Sequence, residues 1–151
     1  MHEIDYEPAV PAVQARIRAS FESQGLMRHL GASLGLIAPG RVHIVLHPRP
    51  ELTQQHGYVH AGATSAIADS AGGYAALTMF DADSEVLTVE YKLNFVAPAA
   101  GDCLEGIGTV VRTGRTLSVC TLEVFGVRDD QPSLVATGQQ TLIRVDAAHA
   151  A

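Results

Sequence analysis

Between Glu51 and Asp81 a single residue, Asp69, carries a formal charge when histidines are taken as neutral. It stands in a proline-free run from Gly62 to about Phe80 that is rich in Ala, Ser and Gly, and its neighbours one helical turn away are Ser65, Ala66, Gly72 and Gly73. A helical Asp ordinarily sits on a solvated face beside other charges, because acids are rarely buried unpaired. Here there is no charged face to join, so the residue reads as functional. An apolar wall penalises the charged form of a carboxyl group and draws it toward the range useful for general-base work. The chemistry on offer is activation of a water molecule or direct attack on a carbonyl.

A second cluster precedes it, Gln54-Gln55-His56-Gly57-Tyr58-Val59-His60-Ala61-Gly62. His60 and Gly62 fall at the start of the helix, where unpaired N–H groups and the positive end of the dipole point outward, a ready oxyanion site. The plain alternative for His60 is a capping or core histidine. Asp69 lies eight residues beyond Ala61, about 12 Å along a helix, too far for both to touch one carbonyl. If both serve one reaction they come from different chains, which implies a dimer with its sites at the interface.

The elements that must hold these residues follow from periodicity. Val13, Ile17 and Phe21 recur every four residues between Ala12 and Gln24, an amphipathic N-terminal helix ending before Gly25. Leu34 to Ile37 and Arg41 to His47 flank a Pro39-Gly40 turn and read as two strand pieces or one bent strand. The 62–80 run is a helix of five turns without a polar face, hence buried. Gly72 and Gly73 cost it about 1 kcal/mol each relative to alanine, which points to close approach by a sheet or a partner helix. Four strands follow, Val86 to Ala97, Gly101 to Arg112, Thr116 to Val127 and Ser133 to Val145. In the first, Val89, Tyr91, Leu93 and Phe95 alternate with Thr88, Glu90, Lys92 and Asn94, as in a strand with one wet face. Turns at Pro98 to Gly101, Thr113 to Arg115 and Asp129 to Pro132 predict hairpins. The layout is α+β, one antiparallel sheet around one long central helix. Residues 1–151 form one domain, with a helical segment over 1–25 and a frayed tail over 147–151.

Composition narrows the function. The 151 residues are 47% hydrophobic with net charge -6, and the ten Lys and Arg are scattered. No footprint for nucleic acid exists. Cys103 and Cys120 lie outside any CxxC pair, which fits reduced thiols in a cytoplasm. The acidic start, Met1 to Asp5, lacks an apolar core, and no run approaches 18 apolar residues, so secretion and membrane spanning are not expected.

From Gly57 to Leu77, with a glycine three residues before His60 and an acid nine after it, the chain resembles the PaaI-like acyl-CoA thioesterases of the hotdog superfamily. The likeness continues through Thr88-Val89-Glu90-Tyr91-Lys92-Leu93-Asn94-Phe95-Val96-Ala97-Pro98 and thinly over most of the chain. It implies a hotdog fold, a homodimer or homotetramer, and hydrolysis of CoA thioesters with no metal and no cofactor beyond the CoA of the substrate. Asp69 matches the family's catalytic acid, and Gln54 the Asn or Gln that places water or substrate. The Ala61 N–H matches the group that polarises the carbonyl, and Thr88 a Ser or Thr near the acid. The resemblance implies that Gln54 and Ala61 face Asp69 and Thr88 of the other subunit. One departure is His60-Ala61-Gly62 where the common pattern is His-Gly-Gly. The added methyl keeps the amide donor, provided that φ there is not positive.

Rival readings are weaker. Gly31-Ala32-Ser33-Leu34-Gly35 fits the G-x-S-x-G pattern, which needs a strand, a turn and a helix in a large parallel sheet. His43 and His47 are about 13 Å apart on a strand, too far to chelate. His56, His60 and Asp69 are a remote zinc set. A hotdog hydratase or dehydratase, or a non-catalytic acyl-CoA binding module, is the nearest functional alternative. Tyr58, Ala61, Tyr74 and Met79 are candidate pocket residues beside Gly62, and Arg112 and Arg115 flank a turn from which they could meet CoA phosphates.

Overall fold

The computed structural model describes residues 5–149; residues 1–4 and 150–151, with the far end of the expected tail, lie outside it. Helix α1 spans Pro11–Ser23, with proline in its first turn and Ile17 and Phe21 buried. A second helix not expected from the sequence, α2 at Gly25–Leu30, buries Met27 and Leu30 and ends at Gly31, whose φ of 69° is the left-handed region that favours glycine. At six residues it is too short for a helical period to show. Two separate strands follow, β1 at Ser33–Ala38 and β2 at Arg41–Leu46, paired antiparallel about the Pro39-Gly40 turn.

The central helix α3 covers Ala61–Leu77, 17 residues, about 26 Å at 1.5 Å per residue. It ends three residues before Phe80. The close approach expected at Gly72 comes from the sheet within the same chain. A Cβ on residue 72 would overlap the Gln140 side-chain oxygen and lie 2.6 Å from Leu122. A Cβ on Gly108 would overlap the backbone of Ala71 and Gly72, and one on Gly106 would come within 3.1 Å of the Ile67 backbone. The helix therefore lies directly on the strand that carries Gly106 and Gly108. Gly73 has looser surroundings, with Leu142 at 3.8 Å from the same virtual atom.

Four long strands complete the chain, β3 at Ser84–Phe95, β4 at Cys103–Thr113, β5 at Leu117–Arg128 and β6 at Gln131–Asp146, before a 3-10 turn at Ala147–His149. The sheet order is β1-β2-β4-β5-β6-β3, every neighbouring pair antiparallel. The hairpins expected at Thr113 to Arg115 and Asp129 to Pro132 are present, the second turning through Asp129 and Asp130 at φ of 49° and 59°. The hairpin expected at Pro98 to Gly101 is not. β3 pairs with β6, while β4 pairs with β2 and β5, so residues 96–102 carry the chain between non-neighbouring strands. On the way the Ala99 carbonyl accepts from the Val59 N–H at 2.9 Å. Pro and Gly mark where a strand stops, but they do not say which strand lies beside it.

β3 is the edge strand, and its faces differ from simple alternation. The register slips between Thr88 and Glu90, with Thr88 opposite Leu142 and Glu90 opposite Thr141. Val89 is thus the extra residue of a bulge, which reverses parity along the strand. Thr88 leaves the face of Glu90, Lys92 and Asn94 and joins Tyr91, Leu93 and Phe95 on the face of Gln140, Gly138 and Ala136. Nor is that face covered within the chain: Tyr91 and Phe95 are 44% and 45% exposed.

The core lies between α3 and the sheet. Val42, Ile44, Leu46, Ile67, Leu104, Leu122 and Val124 are fully buried there, and α1 and α2 close one end with Ile17 and Met27. Among the described residues no helix is long and apolar enough to cross a membrane.

Candidate active site

Asp69 projects from the middle of α3 and is half-buried. Its Oδ1 accepts from the Thr88 hydroxyl at 2.8 Å and from the Gln140 side-chain amide at 2.7 Å. Oδ2 has no hydrogen-bond partner among the described residues. The wall around the acid is more polar than its sequence neighbours imply. Those neighbours belong to α3 itself, whereas the donors come from β3 and β6, 19 and 71 positions away. Thr88 reaches the acid because of the Val89 bulge.

Gln140 is the residue that sequence reasoning missed. It is 1% exposed on the helix side of β6, and its Nε2 also lies 3.1 Å from the Asp69 carbonyl and 3.0 Å from the Thr88 hydroxyl oxygen. The signal was an interrupted pattern. Ala136, Gly138, Gln140 and Leu142 share one face, small or apolar except for the glutamine. In the stretch Gln139-Gln140-Thr141 its immediate neighbours are polar as well and do not set it apart.

Asp69 and Thr88 open onto a cavity of about 200 Å³ that also touches Ser20, Gln24, Ser70 and Tyr74. Helix α1 shapes this end. The Tyr74 hydroxyl accepts from Gln24 Nε2 at 2.7 Å and shares a hydrogen bond with Ser20 Oγ at 3.2 Å, and Ser70 donates to Gln24 Oε1 at 3.3 Å. Tyr74 is thereby placed in the cleft of the acid, whereas Met79 is exposed beyond the end of α3 and lines no cleft with it.

Gln54, Tyr58, His60 and Ala61 line a different cleft, with Phe95 and Pro98. The Gln54 Oε1 accepts from the His56 N–H at 2.5 Å and closes its own loop. His60 is the N-cap of α3: its Nδ1 accepts from the Gly62 N–H at 2.7 Å, which requires the proton to sit on Nε2. That contact occupies the Gly62 donor and leaves the Ala61 N–H with no acceptor among the described residues. Ala61 is not at positive φ, so its methyl group is accommodated. The amide stands at the positive end of α3, where a free N–H can stabilise a developing oxyanion.

The two clefts share no lining residue, in keeping with the 12 Å estimate along the helix. Arg112 and Arg115 are exposed at the end of β4 and in the β4–β5 turn, and neither lines either cleft. Among the described residues no three His, Cys, Asp or Glu side chains converge on a metal position, so His56, His60 and Asp69 do not form a zinc set within one chain. Gly31 to Gly35 is the cap of α2 running into β1, an edge strand, without a helix after the serine. Cys103 and Cys120 are both free; Cys120 bonds the Gly72 carbonyl at 3.5 Å, and burial pushes its thiol up to about 12, so it is no nucleophile at neutral pH.

Comparison with known proteins places the chain in a family. A sequence profile described as the thioesterase superfamily matches residues 56–133. A candidate esterase of Saccharolobus solfataricus is 33% identical over 105 residues, 70% of this chain and 74% of that one. The crystal structure of a thioesterase family protein from Silicibacter pomeroyi superposes with a TM-score of 0.86 at 40% identity, covering 89% of this chain and 99% of that one. The E. coli PaaI protein from the phenylacetic acid degradation operon shares the fold, with a TM-score of 0.78 at 21% identity over 88% of this chain and 93% of its own.

Proposed function

The chain belongs to the thioesterase superfamily and has its hotdog fold, and from that premise we propose that it hydrolyses acyl-CoA thioesters to the free acid and CoA. The observation that carries this reading is the carboxylate of Asp69, clamped on Oδ1 by Thr88 and Gln140 and open on Oδ2 beside a cavity. Oδ2 either takes a proton from attacking water or attacks the thioester carbonyl itself. The Ala61 N–H stabilises the oxygen on which negative charge develops, and Gln54 orients water or substrate. His60 acts through the helix end that it caps. The reaction needs no metal.

The site is completed between two copies of the chain. β3 ends the sheet with an unpaired edge and exposed Val89, Tyr91 and Phe95, an arrangement that favours pairing with another strand. Thr88 borders the Asp69 cleft and Phe95 the Ala61 cleft. Antiparallel pairing of β3 with its symmetry mate, centred on Lys92 and with Val89 as the extra residue, sets Thr88 opposite the partner subunit's Phe95. The acid of one subunit then meets the oxyanion donor and Gln54 of the other, in a homodimer or a homotetramer built from it. Tyr74 contributes to the acyl cavity, Tyr58 and Gly62 flank the thioester, and Arg112 and Arg115 meet CoA phosphates from the surface. The unpaired Cys103 and Cys120 suit a cytoplasmic setting.

The test is release of free thiol from a panel of aryl-acetyl, benzoyl and medium-chain acyl-CoAs in buffer containing EDTA. Turnover of at least one class under chelation is expected. No thiol release from any of them, or release that EDTA abolishes and zinc restores, contradicts the proposal.

A further inference from the structure

Gln140 turns its side-chain nitrogen toward the acid and the acid's Thr88 partner. Its amide nitrogen has two hydrogens and three oxygens within reach, Asp69 Oδ1 at 2.7 Å, Thr88 Oγ1 at 3.0 Å and the Asp69 carbonyl at 3.1 Å. The two contacts to Asp69 fix which way the amide faces. Rotated by half a turn, it would set its oxygen against a carboxylate oxygen and a carbonyl oxygen, neither of which can donate to it when Asp69 is ionised. The arrangement is costly elsewhere. Gln140 Oε1 is buried without a hydrogen-bond partner among the described residues, and an unpaired buried acceptor costs a native structure the hydration that it has lost. It also demands glycine at position 72, since a Cβ there would overlap that same oxygen. An apolar residue at 140 would remove the unpartnered oxygen, although Leu122 would still exclude a Cβ at position 72, and proteins carry such unfavourable buried groups where the site needs them.

Resting on the thioesterase reading above, we infer that Gln140 is the positioning residue for Asp69: it holds Oδ1 and the adjoining helix backbone, and so leaves Oδ2 as the one oxygen presented to the reaction. Thr88 shares the load by donating its hydroxyl proton to Oδ1, which frees its lone pairs for the Gln140 amide. Released from Gln140, the carboxylate can rotate about its side-chain bonds. The ground-state cavity, lined by Ser20, Gln24, Ser70 and Tyr74 rather than by Gln140, is untouched. Misplacement of a reacting group by about an ångström costs on the order of 10²-fold in rate.

The experiment compares steady-state thiol release by the full-length parent, Gln140→Met, Asp69→Asn and the double variant, on whichever acyl-CoA the parent turns over, with circular dichroism and melting temperature as the check of folding. Methionine keeps the unbranched shape and removes the donors. The expected result is a folded Gln140→Met protein with kcat lower by about 10- to 100-fold and KM within twofold. In the Asp69→Asn background the same change should add nothing, because the two residues act as one unit. Should Gln140→Met fail to fold, Gln140→Asn, which keeps an amide one methylene short of the acid, is judged by the same kinetics. If Asp69→Asn is inactive while the folded Gln140 variant keeps kcat within twofold, or if KM alone rises, the positioning role is wrong and the thioesterase reading stands. If Asp69→Asn itself remains active, it is that reading which fails.

Discussion

A carboxylate becomes a catalyst through what fixes it and what it is left free to touch. Asp69 was legible in the sequence because, with histidines neutral, it is the only formal charge in the 29 residues between Glu51 and Asp81. Its partners were far less so. Thr88 came from the family resemblance, and the alternating pattern of β3 assigned it to the wet face. Gln140 was missed, since its only distinguishing mark is that it interrupts the small and apolar face it shares with Ala136 and Gly138, and what a polar residue on that face meets is settled only once the strand has neighbours. His60 was legible as a residue at a helix start, but its job as cap rests on an Nδ1 contact of 2.7 Å that no spacing rule gives. Gln54 and Asp69 differ in what they can contribute. Gln54 Oε1 already serves its own loop, and orienting a water is a partial effect, whereas activating it is the central step. Gln54→Ala is therefore expected to lower kcat/KM for thiol release by about tenfold, clearly less than Asp69→Asn. A Gln54→Ala loss as large as that of the acid would move the central step to Gln54.

At the scale of elements, strand positions were readable to within a few residues, and the tight hairpins with them, because alternation and turn residues are local. Neighbour order was not, as the 96–102 connection shows. The bulge at Val89 was also hidden: β-branched valine is as good in a regular strand as at the extra position. The outer face of the sheet carries one buttress with a pH signature. His43 on β2 holds Glu105 on β4 at 2.7 Å, and Arg41 donates to His43 Nε2 at 3.0 Å. The hydrogen bond from His43 keeps the Glu105 carboxyl below its ordinary range, against the opposing effect of burial. With the folded value below the unfolded one, this stabilisation is fully present above the unfolded value and is lost as pH falls through the folded one. Urea midpoints measured at about pH 7 and about pH 3.5 should fall more on acidification in the parent than in Glu105→Gln, which is neutral throughout. Equal losses in the two proteins would mean that the β2–β4 contact adds nothing to the acid sensitivity of the fold.

The whole molecule poses the question of completeness, because the candidate residues of one chain lie in two separate clefts, with Asp69 in one and Gln54 and Ala61 in the other. The length of α3 already required that separation, and the sequence alone was enough to see it. Mixed oligomers provide the direct probe of sharing. Combining Gln54→Ala chains with Asp69→Asn chains should restore one working site per mixed dimer, raising activity above that of either parent variant. No gain despite demonstrated subunit exchange would place both residues within one chain's site. The central claim, hydrolysis by this acid, is tested most directly by kcat for thiol release from an acyl-CoA by the parent and by Asp69→Asn. Asparagine keeps an oxygen to accept from Thr88 and Gln140 and replaces only the open one by an amide. The account predicts a loss of about 10²- to 10⁴-fold in kcat with acyl-CoA affinity and melting temperature retained, whereas turnover within threefold of the parent would contradict it.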